Sequence, residues 1–318
     1  MKQTPNWVSL MMACRASYFS LVYALLASCF CQAAVVAPEC ELSDESEVSI
    51  TADSVYRKGL LWKVSKPGAK PSHIFGTIHV SDENITNFDE KVKQAVDTSS
   101  IFVMEVFPKP AEVMTASSLM YFSKGQKLSD MISAPLFEEI VSLLLPYHLP
   151  REAISLLKPW GAFLTMSYPP DFGVVMDMQL LERARQAGAE IQGLETLYEQ
   201  IDIFNSMGLD KQLRLLSNTA CNHHLLEQDF EKMKSLYLAG DLQGLYSYSQ
   251  RYSPSDELLY NELMQRLLID RNHTMTERMQ AYLERGNTFV AIGAMHLAGV
   301  EGVLSLLAKN GYKVSLEY

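Results

Sequence analysis

Cysteine is scarce where a folded domain would use it. Of five cysteines in 318 residues, Cys14, Cys29, Cys31 and Cys40 lie in the first 40, and Cys221 stands alone beyond them. No disulfide-framed fold can be built on that distribution, and mid-helix Cys221 is expected to be a small core residue. An excess of basic charge is also missing: 27 Lys and Arg face 37 Asp and Glu, a net charge of −10. A nucleic-acid binder needs a basic face to meet phosphates, so no nucleic-acid partner is expected. The chain has no repeat of solenoid length, no Gly-x-Ser-x-Gly elbow, no His-Glu-x-x-His helix and no phosphate-binding glycine loop. Gly and Pro are ordinary in number, and 48% of residues are apolar. That composition fits neither disorder, nor a collagen-like repeat, nor a polytopic membrane protein.

The N-terminus reads as an export signal. Lys2 and Arg15 are the sole charges before Glu39, and an apolar stretch with Phe19, Leu21, Val22, Leu25 and Leu26 follows Arg15. Leu26-Ala27-Ser28-Cys29 then matches the point at which lipoprotein signals are cut, so residues 1–28 are expected to leave and Cys29 to carry a lipid. Cleavage near Ala33 or Ala34, releasing a soluble exported protein, and an uncleaved anchor are the competing readings. Residues 29–56, acidic and serine-rich around Glu39–Ser54, read as a flexible tether, leaving one domain at 57–318. All versions place the working part outside the cytosol, either anchored in the cell envelope (on the periplasmic face in a Gram-negative cell) or soluble.

Hydrophobic patterning predicts strands at Leu60–Val64, His73–Ile78, Ile101–Phe107, Glu190–Gly193, Thr288–Gly293 and Tyr312–Leu316. Between them it predicts a helix near Phe88–Val96 and a long helical middle: Pro135–Leu145, Arg151–Leu157, Val174–Ala187, Leu194–Met207, Asp210–Leu238, Ser255–Leu268 and Thr276–Arg285. This is an α/β fold whose mixed sheet is assembled from both ends of the chain around a large helical section.

Two segments match each other. Gly76-Thr77-Ile78-His79 and Gly293-Ala294-Met295-His296 each place a histidine just past the carboxyl end of an apolar strand. That end is where ligands bind in open α/β sheets. Glu105 sits inside an apolar strand, where a carboxylate must be paired with a cation, a metal or donors. Glu195 follows another strand. Two histidines and two glutamates at one sheet edge suit either a divalent metal or His/Glu acid–base work. Taken singly, each has a plainer reading: a hydrogen-bonded histidine, a glutamate paired with arginine, a carboxylate at a helix N-terminus. His223 and His224, adjacent on a predicted helix, diverge by about 100° and read as a solvated face. His73 lies about 20 Å from His79 along the strand and cannot share its site.

Leu61-Trp62-Lys63-Val64, Ser72–His79 and Val103-Met104-Glu105 resemble the opening of the TraB/GumN family, which is related to the Tiki metalloproteases. Gly193-Leu194-Glu195-Thr196, Arg271-Asn272 and the run Val290–Gly299 resemble further motifs of that family, so the likeness covers roughly residues 57–318. Two positions depart from it, Val175 in place of a frequent glycine and Phe107 in place of a polar residue; both make the surroundings more apolar. The resemblance implies a Tiki/TraB-like fold with metal-dependent hydrolysis of a peptide or small amide at the cell surface. It implies His79, Glu105 and His296 as metal ligands, with Glu195 as ligand or general base. Arg271 would stabilise negative charge or pair with a glutamate, Asp177 orient a histidine, and Asn272 position a ligand or substrate. Zn, Mn, Co and Fe suit such mixed ligation equally. The alternative is an envelope protein that binds or sequesters peptide signals without cutting them. Oligomeric state is not legible in the sequence.

Overall fold

The structure, a computed structural model, describes residues 55–107, 109–170, 173–250 and 256–318. The expected signal, the Cys29 lipid site and nearly all of the expected tether lie outside the described residues.

Six strands form one mixed sheet: β1 Leu61–Ser65, β2 Ser72–Thr77, β3 Ile101–Val106, β4 Glu190–Glu195, β5 Thr288–Gly293 and β6 Lys313–Leu316, in the order β4-β3-β5-β2-β1-β6. β4, β3, β5 and β2 run parallel, while β1 pairs antiparallel with both β2 and β6. β5, contributed by the last tenth of the chain, therefore sits between strands from its first third, as expected. Parallel strands covered on both faces read as unbroken apolar runs. Phe289, Val290, Ala291 and Ile292 of β5 are fully buried, and Phe102 stacks on Phe289 at 5.9 Å between ring centres. Each such large side chain contributes on the order of 1.5–3 kcal/mol by leaving water.

Helix Glu90–Asp97 packs on helix Met176–Gln186, and the long helix Asp270–Arg285 lies against β3, β4 and β5. Its Met275, Met279 and Leu283, at three- to four-residue spacing, enter the sheet's core. The helical middle has its own apolar clusters. One gathers Leu128, Ile140, Leu144, Ile154 and Leu216; another gathers Trp160, Phe204, Leu215 and Leu259, with Leu263 and Leu267 beside them.

The expected Asp210–Leu238 helix is in fact two helices, Leu209–Asn222 and Leu226–Leu238, parted by a 3-10 turn at His223–Leu225. Helix Glu257–Met264 runs into a π-helical turn, Gln265–Ile269, and then into Asp270–Arg285. Helices Pro110–Leu119, Pro159–Met166 and Leu242–Ser249 were not expected, whereas Val303–Lys309 ends at Asn310-Gly311, the stop expected before the last strand. Cys221 is also corrected: it is half-buried near a helix end and disulfide-bonded, not a core thiol. No helix among the described residues is long and apolar enough to cross a membrane.

Candidate functional site

Register brings the two Gly-x-x-His segments together. On the parallel pair β2 and β5, Gly76 aligns with Ile292 and Thr77 with Gly293, so both chains leave the sheet at the same edge. The glycines allow the close approach. A Cβ on Gly76 would meet the Leu297 side chain at 2.9 Å and Ala294 Cα at 3.1 Å, inside the turn that carries His296. A Cβ on Gly293 would stand 3.2 Å from Glu105 Oε1, the atom that the Gly293 N–H reaches at 2.6 Å. The Tyr237 hydroxyl donates to the Gly76 carbonyl at 2.7 Å and holds the first turn from behind.

Each histidine is fixed through Nδ1. His79 Nδ1 donates to Asp177 Oδ2 at 2.9 Å, and Thr77 Oγ1 donates to the other Asp177 oxygen at 2.7 Å. His296 Nδ1 meets Asn272 Oδ1 at 2.7 Å, while Asn272 Nδ2 donates to the Glu301 carbonyl at 2.8 Å. That second bond sets which way the amide faces, so Nδ1 of His296 is the donor. Both rings are therefore left with Nε2 as the unprotonated nitrogen when neutral. His296 Nε2 stands 3.6 Å from Glu105 Oε1. His296 is buried, whereas the His79 ring is 47% exposed.

The carboxylates are neutralised by one cation. Arg271 Nη2 donates to Glu105 Oε2 at 2.6 Å and to Glu195 Oε2 at 2.8 Å, its Nε lies 3.1 Å from both Glu195 oxygens, and Nη1 donates to the Leu267 carbonyl at 3.1 Å. Gln200 Nε2 closes the network with 3.4 Å and 3.2 Å contacts to Glu105 and Glu195. Burial would raise the pKa of Glu105, but positive charge at His296, Arg271 and His79 and the Gly293 N–H outweigh it and hold it at about 2. Burial dominates at His296 and, with Arg271 and His79 against the pull of Glu105, lowers its pKa to about 4. At His79 burial works downward, yet the bond to Asp177 and the charges of Asp177 and Glu105 carry the pKa up to about 9. Arg271 loses stability as a cation through burial but is raised overall by its two glutamates.

A cavity of about 630 Å³ opens over this edge, lined by His79, Glu105, Arg271 and His296 and walled by Phe163, Leu164, Phe204, Leu267 and Met295. Glu195 is placed differently from expectation. Its side chain is 4% exposed, it is not among the cavity-lining residues, and Arg271 occupies both its oxygens. As placed, it braces Arg271. Arg271 in turn pairs with glutamates, the second of its two expected roles. Gln200, Thr77 and Tyr237 were not foreseen. A glutamine five residues beyond Glu195, in the helix that follows it, was the available signal for the first. The other two are recognisable from contacts that span 100 and 161 residues.

Among the described residues no three His, Cys, Asp or Glu side chains form a ready ion-holding group. The donor chemistry is nevertheless suited to one: two imidazoles oriented by second partners at Nδ1, beside an ionised carboxylate. His73 is remote from this edge and bonds Glu317 at 3.1 Å.

This arrangement can be set against known proteins. The TraB/PrgY/gumN family model matches residues 60–316. The chain belongs to that family. It is similar to two Danio rerio proteins named metalloprotease TIKI2 and metalloprotease TIKI1. The first is 24% identical over 80% of this chain and 60% of the relative, the second 23% over 80% and 62%. It is likewise similar to a Homo sapiens protein named metalloprotease TIKI1, 23% identical over 80% of this chain and 61% of the relative. The chain thus spans about three fifths of the length of these curated relatives. No solved structure matches.

Proposed function

We propose that this TraB/PrgY/gumN-family member is an exported, lipid-anchored hydrolase of peptide or amide bonds that works with a divalent ion. The supporting observation is the pair of histidines at the sheet edge that holds Glu105: each has Nδ1 tied to an oxygen acceptor, which reserves Nε2 for an ion, at His79 an ion that displaces the Nε2 proton. The relatives' name, metalloprotease, agrees with it.

His79 and His296 would hold the ion through Nε2, with Glu105 as the carboxylate, and zinc, manganese, cobalt or iron would suit that set. Such an ion supplies Lewis acidity to a carbonyl and acidity to a bound water. The chain's own contribution is orientation and charge. Asp177 and Asn272 fix the imidazole planes and tautomers. Glu105 is the acidic residue of the cavity lining and is ionised at neutral pH, so it can serve as that carboxylate. Arg271 keeps that carboxylate in place without removing it from the cavity, and Glu195 holds Arg271. The apolar walls exclude water and would receive the side chains that flank the scissile bond.

The test is to incubate the purified chain with a peptide mixture, with and without chelator, and to search for new termini by mass spectrometry. Metal-dependent new termini that vanish in His79→Ala and His296→Ala are expected. Peptide capture with no new termini would support the sequestering alternative. A wild type without metal that behaves like both variants in every assay would overturn the hydrolase.

A further inference from the structure

A second cavity, of about 330 Å³, lies in the helical middle beside the candidate site and has no part in its chemistry. Its floor is apolar, from Met166, Leu215, Leu259 and Leu263. Two polar atoms on its lining are buried: His223 Nε2, which has no hydrogen-bond partner, and the Tyr260 hydroxyl, which has the Ser249 hydroxyl as its neighbour. That serine hydroxyl itself donates to the Tyr246 carbonyl at 2.8 Å. An unmet buried polar atom on a small apolar cavity is unusual in a folded chain. His223 is thus not the solvated residue its sequence position suggested. The 3-10 turn at His223–Leu225 breaks the helix and separates it from exposed His224.

Charge narrows what could fill the space. The lining carries two carboxylates, Asp229 and Asp256, and no Lys or Arg. Asp229 accepts from the Tyr248 hydroxyl at 2.7 Å and Asp256 is paired with Arg214, so both are held in place. An anion would be repelled, and a strongly hydrated cation would lose water against an apolar floor. We propose that this cavity is a second ligand site, built for an uncharged, mainly apolar molecule bearing one hydrogen-bonding group that His223 or Tyr260 would meet. Its volume is at the lower end of the range for small-molecule pockets.

The probe is N-phenyl-1-naphthylamine, an uncharged aromatic with a single N–H, titrated into the purified full chain by fluorescence. Its anionic counterpart, 1-anilinonaphthalene-8-sulfonate, has the same body plus a sulfonate. Saturable binding of the amine is expected, with the sulfonate at least tenfold weaker. Thr219→Trp, which would fill this cavity, should abolish binding. Ile201→Trp, on the lining of the larger cavity alone, should leave it unchanged. At least one of the milder variants His223→Leu and Tyr260→Phe should weaken it about three- to tenfold, the worth of one hydrogen bond. The proposal is overturned if the sulfonate binds as well as the amine, if Ile201→Trp removes binding while Thr219→Trp keeps it, or if both milder variants bind like wild type.

Discussion

Arg271 is the residue on which the interior of the sheet edge depends. It is the cation between two buried carboxylates, so its removal leaves both glutamates charged and unpaired in a desolvated place. Breaking a buried pair in this way costs about 3–5 kcal/mol. Arg271→Met is therefore expected to lower the urea midpoint strongly with little change in the slope of the transition. Gly76 is a second sensitive residue. Its Cβ would overlap Leu297 and Ala294, so Gly76→Ala should destabilise by about 1–3 kcal/mol through overpacking and displace the His296 turn. Thermal melts would register the first effect, and loss of any metal binding the second. Asp177→Asn keeps the size of the side chain but removes the charge beside His79 Nδ1. Metal affinity, read by competition with a chromogenic chelator, should fall about 10- to 100-fold.

Among the elements, helix Leu197–Asn205 is fastened firmly at its start, three residues beyond the expected Leu194. Thr196 and Glu199 form a capping box, and Glu199 also takes two bonds from Arg278, at 2.7 and 3.1 Å. The Arg278 bonds are the largest influence on the Glu199 pKa, and with the Thr196 bonds they overcome desolvation and hold it at about 2. A depressed carboxylate stabilises fully above its unfolded pKa of about 4.5, and the contribution fades as pH falls from there through about 2. Because the side chain is 41% exposed, the effect is discounted to about 1 kcal/mol. Glu199→Ala should lower stability by that amount at pH 7, and by almost nothing at pH 2, in paired denaturation curves.

The strands and most helices were legible because burial imposes a period on them. All six strands lie where the apolar runs and flanking turns put them, within two residues at each end. What escaped has specific causes. Pro159–Met166 is buried nearly all round, so it shows no stripe. Pro110–Leu119 buries Ala116 alone and has no face to show. At the candidate site, glutamates and histidines at strand ends could be read because strand direction fixes their edge. That Arg271 joins Glu195 and Glu105 at once could not, since it depends on how a helix 76 residues beyond Glu195 is rotated.

At the scale of the molecule, the open question is attachment. If Cys29 carries a lipid, Cys29→Ser should move the protein from the membrane fraction to the soluble one, with the folded domain's melting curve unaltered. Family membership concerns residues 60–316, so it is independent of that outcome.

The π-helical turn at Gln265–Ile269 has a mechanical consequence for the whole. Helix Glu257–Met264 addresses the cluster around Trp160 and Phe204, while Asp270–Arg285 addresses the sheet. One continuous rod thus serves two cores whose directions do not coincide, and the wider turn is the phase offset between its halves. Arg271 and Asn272 come directly after the offset, so their azimuth is set by it. Removing a single residue there would turn one half against the other by about 100°. The carboxylate clamp and the imidazole orienter would swing off the site together, which makes this short turn the timing mark of the fold.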